Sequence, residues 1–214
     1  VASPAADFSQ DGEQAAILDW AAGYPGSFLE VGAYDGVNFS NTRALMLQGW
    51  SGVAVEPAPD MCDRLREAVD GYPVEVVQAA CVAGYSTHRR APLNWTPGQP
   101  FSSLTRTGDV KHQQVEVDEI SVTDLLDRWT QPPRASGDPP QWLLSLDTEG
   151  TTLGLLAIFL HELRHAPGRI CVVVEAHLNV ADERPVAVAQ LEHHGFTLRF
   201  CNPVNVIASR GKLD

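Results

Sequence analysis

The sequence has little positive charge. Its 15 Lys and Arg face 27 Asp and Glu, a formal net charge of -12 over 214 residues. A surface of that sign repels nucleic acid and anionic membranes, so neither is expected as a partner. No apolar run reaches the roughly 20 residues of a membrane-spanning helix. The opening stretch VASPAADFSQDGEQ has no basic region followed by an apolar core. No secretory signal is read there, and a cytoplasmic location is expected. Cysteine is sparse, at Cys62, Cys81, Cys171 and Cys201, and none of these forms a CxxC pair. That spacing argues against zinc and against a disulfide framework; three of the four lie in apolar, strand-like runs and read as small core residues in a reducing compartment. GxGxxG and GK[ST], the usual phosphate-cradling signatures, are also missing.

Strand-like runs alternating with helical stretches are present. The runs are SFLEVGA, GVAVEPA, VEVVQAAC, QVEVDEI, WLLSLDT, RICVVVEAH and FTLRFCN, several of them continuously apolar. Such runs fit strands covered on both faces, hence a mostly parallel sheet. Helices are predicted from Gln10 to Ala22 and from about Asn41 to Gln48. A third has Pro59 in its first turn and Met61, Leu65 and Ala68 on one face. Further helices run from Thr123 to Trp129, from Thr152 to His165, and from Pro185 to a stop at Gly195. FTLRFCN and VNVIASR are separated only by Pro203 and its neighbours, too few residues for a helical crossover, so they must pair antiparallel. The length fits one domain over residues 1–214. The expected architecture is α/β: a Rossmann-like class I methyltransferase fold, with a mostly parallel seven-stranded sheet and a C-terminal antiparallel hairpin. Thr130 to Gln141 reads as a Pro-rich surface loop. Gly84 to His112 is longer than a plain connection, which suggests a lid or substrate loop.

The stretch FLEVGAYDGVNFSNT, Phe28 to Thr42, places carboxylates beside a glycine turn at a strand end. A pyrophosphate would be opposed by Glu30 and Asp35, whereas a cationic ligand reverses the sign of the argument. S-adenosylmethionine, with a sulfonium and an α-ammonium, is such a ligand, and Gly32 lets the backbone approach it closely. Glu56 ends the second strand, where an acid can accept both ribose hydroxyls.

At this point the chain resembles the FkbM-type methyltransferases. The resemblance rests on SQDGEQ (Ser9–Gln14), FLEVGAYDGVNFSNT, GWSGVAVEP, VVQAAC, FSSL (Phe101–Leu104), LLSLDTEGTTLGLL and VVVEAH, which run in order across most of the chain. Two departures stand out: Tyr34, where the family often has Asn, and Thr152 to Leu156, which lacks the family's usual acid. The resemblance implies methyl transfer from S-adenosyl-L-methionine to a hydroxyl of a sugar, polyketide or similar small molecule. It places Glu30, Gly32, Asp35, Asn41, Glu56, Pro57, Ala79, Ala80, Ser102, Ser103 and Asp147 on the cofactor, with Ala79 or Ala80 near the adenine.

An alcohol oxygen is a poor nucleophile until its proton is accepted, so a base is needed at the C-terminal edge of the sheet. Asp147 is the first candidate, and an acid there could equally cap the following helix or hold the cofactor amine. Glu149 lies beside it. His177, two residues beyond Glu175 at the end of the next strand, is a second possible base. Asp147, Glu149, Glu175 and His177 could together hold Mg²⁺, but no metal is assigned, because these acids have equally good roles around a cationic cofactor. Trp95 and Phe101 are candidate covers over the ligand. The competing readings are transfer to nitrogen, transfer to a peptide or protein, and a non-catalytic S-adenosylmethionine-binding protein.

Overall fold

The computed structural model describes residues 6–84, 89–98, 104, 113–129, 140–176 and 182–211. Seven strands form one sheet: β1 (Ser27–Val31), β2 (Ser51–Val55), β3 (Val74–Val77), β7 (Gln141–Leu146), β8 (Arg169–Glu175), β9 (Thr197–Cys201) and β10 (Asn205–Arg210). Their order is β3-β2-β1-β7-β8-β10-β9. The first five are parallel, and β10 runs antiparallel between β8 and β9. The expected fold class is therefore the observed one. Among the described residues six α-helices accompany them: α1 (Glu13–Ala21), α2 (Arg43–Leu47), α3 (Pro59–Ala68), α4 (Val122–Arg128), α5 (Thr152–Glu162) and α6 (Arg184–His193).

Every residue of β1, β7 and β8 is buried. Alternate side chains feed two cores, as the two-residue period of a strand requires. Leu29, Val31, Leu144, Leu146, Val172 and Val174 pack with Leu155, Leu156 and Phe159 of α5. Phe28, Leu143, Cys171 and Val173 pack on the other face with Ile17 and Trp20 of α1, Leu45 of α2 and Trp50. Each fully buried large side chain contributes roughly 1.5–3 kcal/mol. The chain reverses direction across the sheet between β1 and β7, so the crevice above their C-terminal ends is the topological switch point.

Two expectations about the sheet need correcting. QVEVDEI does not join the main sheet; it lies in β6 (Gln113–Ser121), the middle strand of a second sheet with β4 (Ala80–Val82) and β5 (Arg90–Trp95). β5 occupies part of the stretch read as a long loop. Among the described residues it is an edge strand of the second sheet, a position that tolerates Pro92. Ala91 and Leu93 are buried while Arg90 and Pro92 are exposed, the alternation of a half-buried strand. The cysteine reading also shifts: Cys62 on α3 is buried with Cys81 and Cys171, whereas Cys201 on the edge strand β9 is exposed. All four thiols are free. Among the described residues no helix is long and apolar enough to cross a membrane.

Candidate active site

The turn after β1 is pinned by its neighbours. The Gly32 and Ala33 N–H groups donate to the Val55 carbonyl, and the Asp147 N–H donates to the Val31 carbonyl, each at 2.9 Å. Gly32 has φ +87°, and a Cβ there would lie 1.7 Å from the Asp147 carbonyl oxygen. Only glycine fits, so the close approach of β1 and β7 at the switch point is fixed by this residue.

A cavity of about 170 Å³ opens above these strand ends. Val31, Gly32, Ala33 and Tyr34 line it from the first turn, and Val55, Glu56 and Pro57 from the second. Ala79, Ala80, Cys81 and Leu93 form another wall, while Asp147, Thr148, Glu149, Thr151 and Glu175 come from the β7 and β8 ends. Gln10, Phe39 and Leu104 complete it among the described residues. A second cavity, about 320 Å³, adjoins the first through Cys81, Leu104 and Thr151.

Glu56 is 6% exposed. One carboxylate oxygen accepts the Tyr34 N–H at 2.9 Å and the other the Ala58 N–H at 2.8 Å. Burial pushes its pKa up to about 8, against the lowering effect of those two bonds and with a further rise from nearby Asp147. Each oxygen keeps acceptor capacity beyond its single backbone bond. Glu175 is buried at the end of β8. Its pKa is raised well above the carboxylate range by burial and by its hydrogen bond to Asp147 and the charge there. Glu175 therefore keeps its proton at neutral pH, beside Asp147. Asp147, Glu149 and Glu175 bring carboxylate oxygens within 4.8 Å of one another.

Backbone strain gathers around the same cavity. Among the described residues, four that are not glycine have positive φ: Ala22, Tyr34, Phe39 and Glu149. Ala22 caps α1, and the other three all line the cavity. Left-handed conformations in such residues cost on the order of 1–3 kcal/mol and collect at ligand sites.

Of the expected site residues, Gly32, Glu56, Pro57, Ala79, Ala80, Asp147 and Glu149 share this cavity. Glu30, Asp35 and Asn41 do not line it. Glu30 faces its own loop: Thr42 Oγ1 donates to it at 2.6 Å and the Asn41 N–H at 3.1 Å, while burial raises its pKa to about 7. Asp35 accepts from the Val37 and Asn38 N–H groups and from the Asn38 side chain, and so shapes the turn. The Asn41 side chain donates to Ser145 Oγ. The capping alternative for Asp147 does not occur, since α5 begins without a side-chain cap bond. Thr148, Thr151 and Thr152 instead close that turn with hydroxyl bonds of 2.9–3.1 Å. Trp95 is not a cover: its indole donates to Asp60 on α3 at 2.8 Å, and it packs beside Met61 and Leu93. His177, Phe101, Ser102 and Ser103 lie outside the described residues. Gln10, Tyr34, Phe39, Thr148 and Thr151 were not anticipated as cavity walls.

Solved structures share this fold. A precorrin-6y C5,15-methyltransferase from Geobacter metallireducens has a TM-score of 0.51 at 15% identity, over 99% of this chain and 93% of its own. A methyltransferase FkbM from Methylobacillus flagellatus has a TM-score of 0.50 at 14% identity, over 87% of this chain and 44% of its own. At such identities the likeness establishes the class I methyltransferase fold. No family model matches the sequence, and no curated protein matches it.

Proposed function

We propose that the chain is an S-adenosylmethionine-dependent methyltransferase acting on a hydroxyl of a small molecule. The observation that carries this reading is Glu56. It is buried in the cavity wall, one residue beyond β2, each oxygen held by one backbone N–H and able to accept one more donor. A ribose diol supplies two such donors. The fold shared with the two methyltransferases and the resemblance of the turn motifs support the same cofactor. Glu56 would hold the ribose, with Pro57, Ala79 and Ala80 against the adenine and Gly32 beside the amino-acid end.

When bound, the cofactor supplies a methyl group on a sulfonium, an electrophile that needs no further activation. The chain has to hold the acceptor hydroxyl in line and take its proton. Asp147 would take that proton: it lines the cavity, with carboxylate oxygens of Glu149 and Glu175 within 4.8 Å of its own. Glu149, adjacent in the cluster, orients the acceptor. Calorimetric titration with S-adenosylhomocysteine tests the cofactor. Micromolar binding that Glu56→Gln weakens by about tenfold or more is expected; no binding by the wild-type chain overturns the reading. With an acceptor in hand, Asp147→Asn should abolish oxygen methylation while leaving cofactor affinity within about twofold.

A further inference from the structure

Tyr34 and Phe39 are not explained by the cofactor. Both hold left-handed backbone, at φ +51° and +61°. A bulky side chain there is a strained choice where glycine or asparagine would be relaxed. Phe39 recovers little by burial, because it remains 53% exposed. Neither the backbone nor the core therefore accounts for an aromatic residue at this position. Yet both residues line the cavity, and their rings face each other with centroids 6.3 Å apart and planes inclined by 30°.

The loop between them is locked. Asp35 accepts three hydrogen bonds from Val37 and Asn38. The Tyr34 N–H is tied to Glu56. A Cβ on Gly36 would meet Leu65 at 2.6 Å, so the turn lies tight against α3. Two aromatic rings are thus pre-positioned in the wall of the cavity that Gly32 and Glu56 also line.

We propose that Tyr34 and Phe39 form a stacking platform for the methyl acceptor, and that the acceptor presents a flat, uncharged ring. Stacked aromatic pairs favour offset, face-on contact with a further planar group. The walls fix the sign: Asp147 and Glu149 line this cavity beside Glu56 and Glu175, whose raised pKa values keep a proton on each in the free chain near neutral pH, and no Lys, Arg or His lines it among the described residues. A phosphorylated or carboxylated acceptor would meet like charge, whereas a phenolic hydroxyl would not. The assignment of the ring to an acceptor rests on the methyltransferase reading; the platform itself does not.

The test uses the full chain and two uncharged probes, dihydroxynaphthalene and myo-inositol, titrated with and without S-adenosylhomocysteine. The expected result is binding of dihydroxynaphthalene at least about tenfold tighter than inositol, lost by about tenfold in Phe39→Ala while S-adenosylhomocysteine affinity stays within about twofold. Phe39→Gly, which relieves the strain, should raise the melting temperature by about 2–4 °C and still lose the probe. Equal binding of the two probes, an unchanged dihydroxynaphthalene affinity in Phe39→Ala, or a lowered melting temperature in Phe39→Gly overturns the platform. A tenfold loss of S-adenosylhomocysteine affinity in Phe39→Ala also overturns it, by giving the rings to the cofactor. Failure of S-adenosylhomocysteine to bind removes the methyltransferase reading instead, and dihydroxynaphthalene binding to the unloaded chain still decides the platform.

Discussion

Two regions of the molecule bury carboxylates and treat them in opposite ways. At the start of α1, Glu13 is fully buried. It accepts the Asp11 N–H at 2.8 Å and the Asn205 side-chain amide at 2.9 Å, with the Asn202 amide as a third donor. Burial alone would raise its pKa, but the backbone and side-chain donors overcome that and lower it. The ionised group ties α1 to the turn joining β9 and β10. At the cavity, Glu56 and Glu175 are pushed the other way: burial outweighs the two N–H donors of Glu56, and for Glu175 burial acts together with neighbouring Asp147 and Glu149. A buried acid fully served by donors belongs to the fold. One left underserved in a cavity marks a place where a ligand completes the set. Glu30 cautions against reading the pKa alone, since its value is also raised although it faces a loop and not the cavity.

The comparison can be broken most severely at Gly32. Gly32→Ala drives a methyl group into the Asp147 carbonyl and strains a φ of +87°. A destabilisation of about 3 kcal/mol or more is expected, with S-adenosylhomocysteine binding lost, as read by thermal unfolding and calorimetry. Next in size, Glu13→Ala leaves the Asn202 and Asn205 amides without their acceptor. It should cost about 1–3 kcal/mol of stability while cofactor affinity stays within about twofold of wild type. A loss of affinity equal to that of Glu56→Gln would erase the distinction between the two regions.

Titration sharpens the contrast. Glu13 has a lowered folded-state pKa, so its contribution is present above the unfolded-state value and is lost as pH falls through the folded one. Glu30 and Glu56 have folded-state values of about 7 and about 8. Their protonated folded forms contribute stability that is lost as pH rises through those values. The unliganded chain should therefore melt at lower temperature near pH 9 than near pH 6, roughly speaking, and Glu30→Gln should flatten that slope. The smallest effect expected is that of metal. Because Glu175 keeps its proton at neutral pH, adding Mg²⁺ or a chelator should move the melting temperature by less than about 1 °C; a large Mg²⁺ shift would make the acid cluster a metal site.

Much of this site could be read in the sequence, for a local reason. Apolar runs ending in Gly32, Glu56 and Asp147 mark strands that stop at a common edge, and the period of the runs places that edge without knowledge of contacts. The role of an acid beside a glycine is less legible. Glu30 and Glu56 look alike in sequence, and only the fold turns one toward Thr42 and the other toward the cavity. Asp35 is no more legible, since its partners are N–H groups two and three residues on. Tyr34 and Phe39 could not be foreseen as strained, because neither residue type signals positive φ. Gln10 reaches the cavity from a chain-distant segment. β5 was hidden by Pro92, which reads as a strand breaker but sits on an edge.

The central claim is that Glu56 waits for a ribose diol. Titrating S-adenosylhomocysteine near neutral pH into wild type and Glu56→Gln, in buffers of different ionisation heat, tests it most directly. Two hydroxyl donors stabilise the ionised carboxylate, so a group with a pKa of about 8 in the free chain should lose its proton on binding. The account predicts proton release by wild type, affinity that tightens as pH rises toward about 8 and then levels, and neither behaviour in Glu56→Gln. Equal affinity and equal proton balance in the two proteins would contradict it.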